Sequence, residues 1–305
     1  MGHQELHVHL EGALSHEFLL SVHREQNPEF SLENLISLFD YQDFRGFIGV
    51  WIAHQKLLFQ GGVDWEQRVF LMVQDFFDRL MREDIEYTEA HVSPIDAMWC
   101  EYGPQVIENP ASYQGLIMAW DKAFNYFNRV RGFRAKYIVD LVLNYPQEIL
   151  EWQWRNLVEV LPSLSCIAGI GIGGGNTTRQ RISFKEVFLD ARSRGLMTVC
   201  HAGELPPQAL AEIEVLEALE IGAQRIGHGI HGIDNPRILE ELASKQVVIE
   251  ISPTSNLFTK SITSLEELPF RLIQEWQIPF CINSDDPTYF HTTLAREKKL
   301  VEVFL

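Results

Sequence analysis

The chain has 305 residues, 42 of them acidic and 25 basic, for a formal charge of −17. Hydrophobic residues make up 46% and charged residues 22%, the composition of a globular chain rather than a disordered one. The acidic excess argues against nucleic acid and anionic lipid as partners, and no apolar run reaches the ~18–20 residues needed to span a bilayer.

In chain order, β-rich runs are predicted at Glu5–His9, Ile85–Val92, Ala135–Leu143, Cys166–Ile172, Leu196–His201, Arg225–His228, Val247–Ile251 and Pro279–Asn283. Helical periodicity lies between them, most clearly from Trp65 to Glu83, where Val69, Met72, Val73, Phe76, Phe77 and Leu80 recur every three or four residues. Asp64 is its predicted N-cap, with Gln67 completing a capping box. Further helices are expected at Tyr113–Val130, Gln147–Leu161, Phe184–Ser193, Pro207–Leu219, Pro236–Ser244 and Leu265–Trp276, with Gly195 as a left-handed cap.

Eight strands alternating with helices predict an α/β fold, a (β/α)8 TIM barrel formed by one domain over residues 1–305. A doubly wound open sheet is the competing arrangement. Residues 11–84 hold more helical material than one crossover needs, so extra helices between strands 1 and 2 are expected over the barrel mouth. No basic segment followed by an apolar one opens the chain. Cys100, Cys166, Cys200 and Cys281 form no CxxC, and a cytoplasmic protein with reduced thiols is expected.

The notable polar residues fall at the ends of these strands. His7 and His9 alternate on one face of the first. His201 ends the fifth, with Glu204 three residues on, and His228 ends the sixth between glycines. Asp285 and Asp286 follow the eighth, where adjacent buried carboxylates are costly unless paired or bound to a cation. In a barrel these ends share one mouth, where three histidines and an aspartate would form an N/O site suited to one zinc ion. The run from Gly169 to Gly174 fits GxGxxG, but its glycines begin inside a strand and no helix follows directly, which argues against a dinucleotide site.

The chain resembles the adenosine deaminase family of the amidohydrolase superfamily. The resemblance rests on His7-Val8-His9-Leu10-Glu11-Gly12, His201-Ala202-Gly203-Glu204, Arg225-Ile226-Gly227-His228-Gly229, Ser252-Pro253-Thr254-Ser255-Asn256 and Asn283-Ser284-Asp285-Asp286-Pro287, in the family's order. It implies one Zn²⁺ per chain held by His7, His9, His201 and Asp285. It also implies a water that attacks C6 of a 6-aminopurine and releases ammonia. Glu204 would be the proton donor, and His228 and Asp285 would act on the attacking water. His9, Glu11, Gly174 and Asp286 would face the substrate, with Asp286 at N7 and the Gly174 N–H at N3.

The expected substrate is a small aminopurine or purine nucleoside, adenosine or a close derivative. Adenine and 6-aminodeoxyfutalosine are the alternatives, and a non-catalytic purine-binding or zinc-binding relative a further one. Glu11 stands where relatives that hold a ribose often have Asp. The fourth-strand pattern GxDLxGxE here reads Gly169-Ile170-Gly171-Ile172-Gly173-Gly174-Gly175-Asn176, without either acid. Only 18 residues follow Pro287, so part of the family's C-terminal helices is expected to be missing.

Overall fold

The computed structural model describes residues 3–174 and 180–305; Gly175 and Asn176 of the glycine-rich run lie outside the described residues. Eight strands form one parallel sheet in the order of the sequence. They are β1 (His3–His9), β2 (Ile85–Val92), β3 (Lys136–Asp140), β4 (Ile167–Ile172), β5 (Met197–Ala202), β6 (Arg225–His228), β7 (Val248–Ile251) and β8 (Phe280–Ile282). The two outer strands meet where Val8 bridges Asp285. There the His9 N–H donates to the Asp285 carbonyl at 2.8 Å and the Asp285 N–H to the His7 carbonyl at 3.2 Å. Sequential order with this closure is that of a (β/α)8 barrel and rules out the doubly wound sheet.

Four helices separate β1 from β2: α1 (His16–Gln26), α2 (Leu32–Leu38), α3 (Phe44–Phe59) and α4 (Trp65–Arg82). The others are α5 (Pro94–Tyr102), α6 (Pro110–Arg131), α7 (Gln147–Val160), α8 (Lys185–Ser193), α9 (Gln208–Ile221), α10 (Pro236–Lys245), α11 (Pro253–Phe258), α12 (Phe270–Glu275) and α13 (Leu294–Val301). In α4 the six predicted apolar positions are all buried, and Phe77 meets Phe124 and Phe127 of α6 at ring distances of 5.7 and 5.5 Å. The Asp64 side chain accepts from the Gln67 N–H at 3.1 Å, but no return bond completes a capping box there. Gly195 takes the expected left-handed conformation after α8.

The predicted helix Leu265–Trp276 is two pieces, a 3-10 turn at Leu265–Glu267 and α12. Pro269 between them has no N–H to continue the ladder. The short helices α5 and α11, of 9 and 6 residues, escape periodicity because each is too short to repeat its apolar face more than about twice. Both open on the proline that favours a first helical position.

Arg79 of α4 pins the junction between the ends of the barrel. It reaches Glu5 of β1 at 3.0 Å, Glu83 at 2.8 Å and Ser284 Oγ, just beyond β8, at 3.1 Å. Glu5 also accepts from the Ser284 hydroxyl at 2.6 Å. Glu5 and Arg79 are both buried, so removing one partner strands the other charge. Arg79→Ala is expected to destabilise the fold by about 3–5 kcal/mol. Urea unfolding checks this, and an unchanged midpoint would refute it.

Candidate active site

The barrel brings the C-terminal strand ends to one mouth. His7 is buried, and its Nδ1 lies 2.7 Å from Glu250 Oε2 of β7. Burial works against charge on Glu250, but Arg225 at 2.8 Å and His7 outweigh it and hold the carboxyl below its ordinary value. The Nε2 of His7 has no hydrogen-bond partner and lies 3.3 Å from Asp285 Oδ1. Burial also opposes charge on His7, yet Asp285 and Glu250 lift its pKa to about 10. Positive charge is favoured at this position.

His201 places its Nδ1 2.9 Å from the Ile172 carbonyl. A carbonyl only accepts, so the proton sits on Nδ1 and the Nε2 lone pair faces the mouth. There it meets His9 Nε2 at 3.3 Å, while His9 Nε2 is 3.4 Å from Asp285 Oδ1. Burial lowers the pKa of His9 to about 4 and that of His201 well below the usual range. Asp285 stays ionised: burial opposes this, but His7, His228 and His9 hold its carboxyl well below the ordinary value. Neutral imidazoles and an ionised carboxylate are the forms that bind metal.

His7, His201 and Asp285 offer donor atoms within 4.8 Å of one another, and His9 joins them through His201 Nε2 and Asp285 Oδ1, so the four could hold a divalent ion. The unpartnered His7 Nε2 and the opposed Nε2 atoms of His9 and His201 fit a cation at this point. His228 also comes close, grouping with His7, His201 and Asp285 within 4.8 Å. Its Nδ1, however, faces the Asn256 amide nitrogen at 3.1 Å. That ring therefore carries its proton on Nε2 and presents a donor rather than a lone pair.

His228 Nε2 lies 3.7 Å from Glu204 Oε2 and 4.0 Å from Asp285 Oδ2. Glu204 sits just past β5 on a loop held by Glu214, which accepts from the Gly203 N–H at 3.0 Å and pairs with Arg181 at 3.1 Å. Burial and then the charge of Asp285 push Glu204 up to about 8, so the carboxyl keeps its proton at neutral pH. Burial and the same neighbour raise Asp286 well above the ordinary range. His228 and Asp285 both adopt positive φ, 65° and 63°, a strained conformation for side-chain-bearing residues that concentrates at functional sites.

Above this floor lies a cavity of about 760 Å³. His9, His201, Glu204, His228, Asp285 and Asp286 line it on the barrel side. Phe44, Phe47, Ile48 and Trp51 of α3 and Trp99 of α5 line it on the other. The Trp51 ring stands 5.8 Å from that of His9, so the extra helices cover the mouth as expected.

The protein-family model described as Adenosine deaminase matches residues 3–304. The chain belongs to the adenosine deaminase family. It is 27% identical over 290 residues to an adenine deaminase of Cupriavidus necator, covering 94% of this chain and 77% of that one. It is 28% identical over 297 residues to an aminodeoxyfutalosine deaminase of Streptomyces coelicolor, covering 96% and 72%. A solved adenine deaminase from Arthrobacter aurescens superposes with a TM-score of 0.79 at 22% identity, over 99% of this chain and 88% of that one. Among the described residues no helix is long and apolar enough to cross a membrane.

Three positions singled out in the sequence of this adenosine deaminase family member can be placed. Glu11 does not reach the cavity wall: it is buried in a 3-10 turn, where Oε1 accepts from the Ser93 N–H at 3.3 Å and Oε2 has no partner. Its partner Ser93 lines the cavity, and Glu11 itself is not among the lining residues. Gly174 does line the cavity, and a Cβ there would fall 2.3 Å from Asn144 Oδ1. Gly171 faces the barrel interior, where a Cβ would lie 2.1 Å from Asp140 Oδ1. That close approach accounts for a glycine in the GxGxxG-like run without a nucleotide.

Asp140 and His91 are site residues that the sequence reading passed over. Asp140 ends β3 and His91 lies opposite His9 across the β1–β2 ladder. Asp140 Oδ1 accepts from His91 Nδ1 at 2.8 Å, and Oδ2 lies 3.6 Å from His9 Nδ1. The available signal was a single acid inside one predicted apolar strand and a single histidine near the end of another.

Proposed function

We propose that this protein hydrolytically deaminates a 6-aminopurine to the 6-oxopurine and ammonia, with one zinc ion held by His7, His9, His201 and Asp285. The observation carrying this reading is the Glu204 carboxyl, raised to about 8, beside the neutral imidazoles of His9 and His201 and the ionised Asp285, at a point where His7 favours positive charge. When bound, zinc supplies a water whose pKa is lowered toward neutrality. Every other requirement falls to the chain itself.

Attack at C6 pushes electrons onto ring N1, where negative charge is unfavourable unless a proton arrives. Glu204 gives its proton to N1, takes one from the attacking water and passes it to the departing amino group; as the C–N bond breaks, the C6 hydroxyl becomes the carbonyl and its proton returns to Glu204, so the acid is regenerated. His228 donates from Nε2 and orients that water, while Asp285 accepts from it. Asp286 donates to N7, a role that the upward shift of its buried carboxyl favours, and the Gly174 N–H meets N3. Bare imidazole nitrogens and one carboxylate form the borderline-soft donor set that suits zinc over calcium or magnesium.

The cavity bears on the substrate. With C6 against the floor, N9 lies at the far side of the bicycle, away from the metal donors. A volume of about 760 Å³ is that of a pocket for a drug-sized ligand rather than for a bare base. The reading is therefore a purine substituted at N9, adenosine or 6-aminodeoxyfutalosine, in preference to free adenine. Ammonia release should show kcat/KM at least about tenfold higher for such a substrate than for adenine, the effect of ~1.4 kcal/mol of added contact. Phe44→Ala should narrow that ratio. Preference for adenine would overturn the substrate, and no turnover of any aminopurine by zinc-loaded protein would overturn the reaction.

A further inference from the structure

The family pattern of the fourth strand places an acid where this chain has Gly171. Asp140 is the register partner of Gly171 across the β3–β4 ladder, and it ends β3 as a buried residue. A Cβ built on Gly171 would fall 2.1 Å from Asp140 Oδ1 and 3.2 Å from His91 Nδ1. Side chains from the two positions therefore compete for one volume. In this chain the carboxylate enters it from β3, and Gly171 leaves the room.

The two oxygens of that carboxylate face two imidazoles. Oδ1 is bonded to His91 Nδ1 at 2.8 Å and Oδ2 stands 3.6 Å from His9 Nδ1. Contacts of this length in ligand-free sites commonly tighten when the site is filled. The opposite edge of the His9 ring carries the Nε2 that faces His201 Nε2 and Asp285. An acceptor at Nδ1 decides which ring nitrogen keeps the proton and where the lone pair points. His7 and His201 have their own acceptors for this purpose, Glu250 and the Ile172 carbonyl. Asp140 is the carboxylate facing His9 Nδ1.

We propose that Asp140 is the positioning residue that keeps the His9 proton on Nδ1 and turns its Nε2 toward the metal donors, acting from a volume that a side chain at position 171 would otherwise enter. This rests on the zinc reading above, and its test reads metal binding separately from turnover. Zinc dissociation constants would be measured by competition with a chromophoric chelator for wild type, Asp140→Ala, Asp140→Asn and the double variants Asp140→Ala/Gly171→Asp and Asp140→Ala/Gly171→Asn. Visible spectra of the Co²⁺-loaded proteins would report ligand geometry.

Asp140→Ala should weaken zinc binding by about 10–100-fold, as loss of a ligand's hydrogen-bond partner does, and should shift the Co²⁺ bands. Returning the acid to β4 in Asp140→Ala/Gly171→Asp should recover at least about tenfold of that loss, and Asp140→Ala/Gly171→Asn, of like size without the charge, should not. Wild-type zinc affinity and an unchanged Co²⁺ spectrum in Asp140→Ala would overturn the proposal. Equal rescue by Asp and Asn at 171 would do so as well. Should the double variants fail to fold, Asp140→Ala, which removes the acceptor facing His9 Nδ1, decides the matter: wild-type affinity and spectrum there overturn it. Zinc-binding, deaminating wild type with an indifferent Asp140→Ala sinks this inference alone. A wild type that binds no zinc sinks the zinc reading and this inference together.

Discussion

Glu204→Gln is expected to lower kcat by about 10²–10⁴-fold, the range for a lost general acid–base, with zinc content unchanged. The amide matches the carboxyl in shape but cannot move a proton from water to N1 and on to the amine. Glu204 also sets the alkaline side of the pH profile. Its carboxyl is pushed up to about 8, first by burial and then by Asp285, and burial persists when a cation neutralises Asp285. The protonated, donating form is present below that pKa and is lost as pH rises through it. The wild-type kcat/KM should therefore decline on the alkaline side near this value. Steady-state rates from pH 6 to 10 and metal analysis test both statements; a variant with wild-type turnover would exclude Glu204 as the proton carrier.

Asp285→Ala should abolish stoichiometric zinc binding and reduce deamination to background. This carboxylate lies 3.3 Å from His7 Nε2 and 3.4 Å from His9 Nε2, and it supplies the anionic charge among neutral imidazoles at the mouth. In wild type, zinc at about 100 times its dissociation constant should stabilise the fold by about 2.7 kcal/mol, seen as a rise in the melting temperature. In Asp285→Ala that rise should vanish. Retention of one zinc per chain by the variant would remove Asp285 from the ligand set.

Much of the barrel was legible because buried parallel strands are short apolar runs and their helices repeat every three to four residues. The site was legible where polar residues closed those runs, as with His7, His9, His201, His228 and Asp285. Asp140 was hidden by its surroundings: Tyr137-Ile138-Val139 and Leu141-Val142-Leu143 flank it, so the apolar run was carried on to Leu143. The strand in fact ends at Asp140, which moves the acid from mid-strand to the mouth. His91 was obscured in a similar way, as one polar residue near the end of a predicted buried strand. Glu11 fails differently. Its place beside His9 in sequence suggests a shared pocket, but the chain leaves β1 in a 3-10 turn and carries the side chain beneath Ser93. Spacing along a strand specifies a face only while the strand lasts.

The junction at which the first and last strands meet also constrains how the donors of the proposed zinc site come together. His7 and His9 belong to the opening residues of the chain and Asp285 to its closing ones, joined through Val8 and Asp285 and tied by Arg79. Contacts of such sequence separation are slow to form, since the intervening chain must be ordered first. No fragment lacking either end can hold the four donors together. Metal uptake during refolding therefore reports ring closure itself: zinc added to the unfolded chain should be captured no faster than the final cooperative folding phase. An emerging polypeptide would remain metal-free until its last strand had left the ribosome.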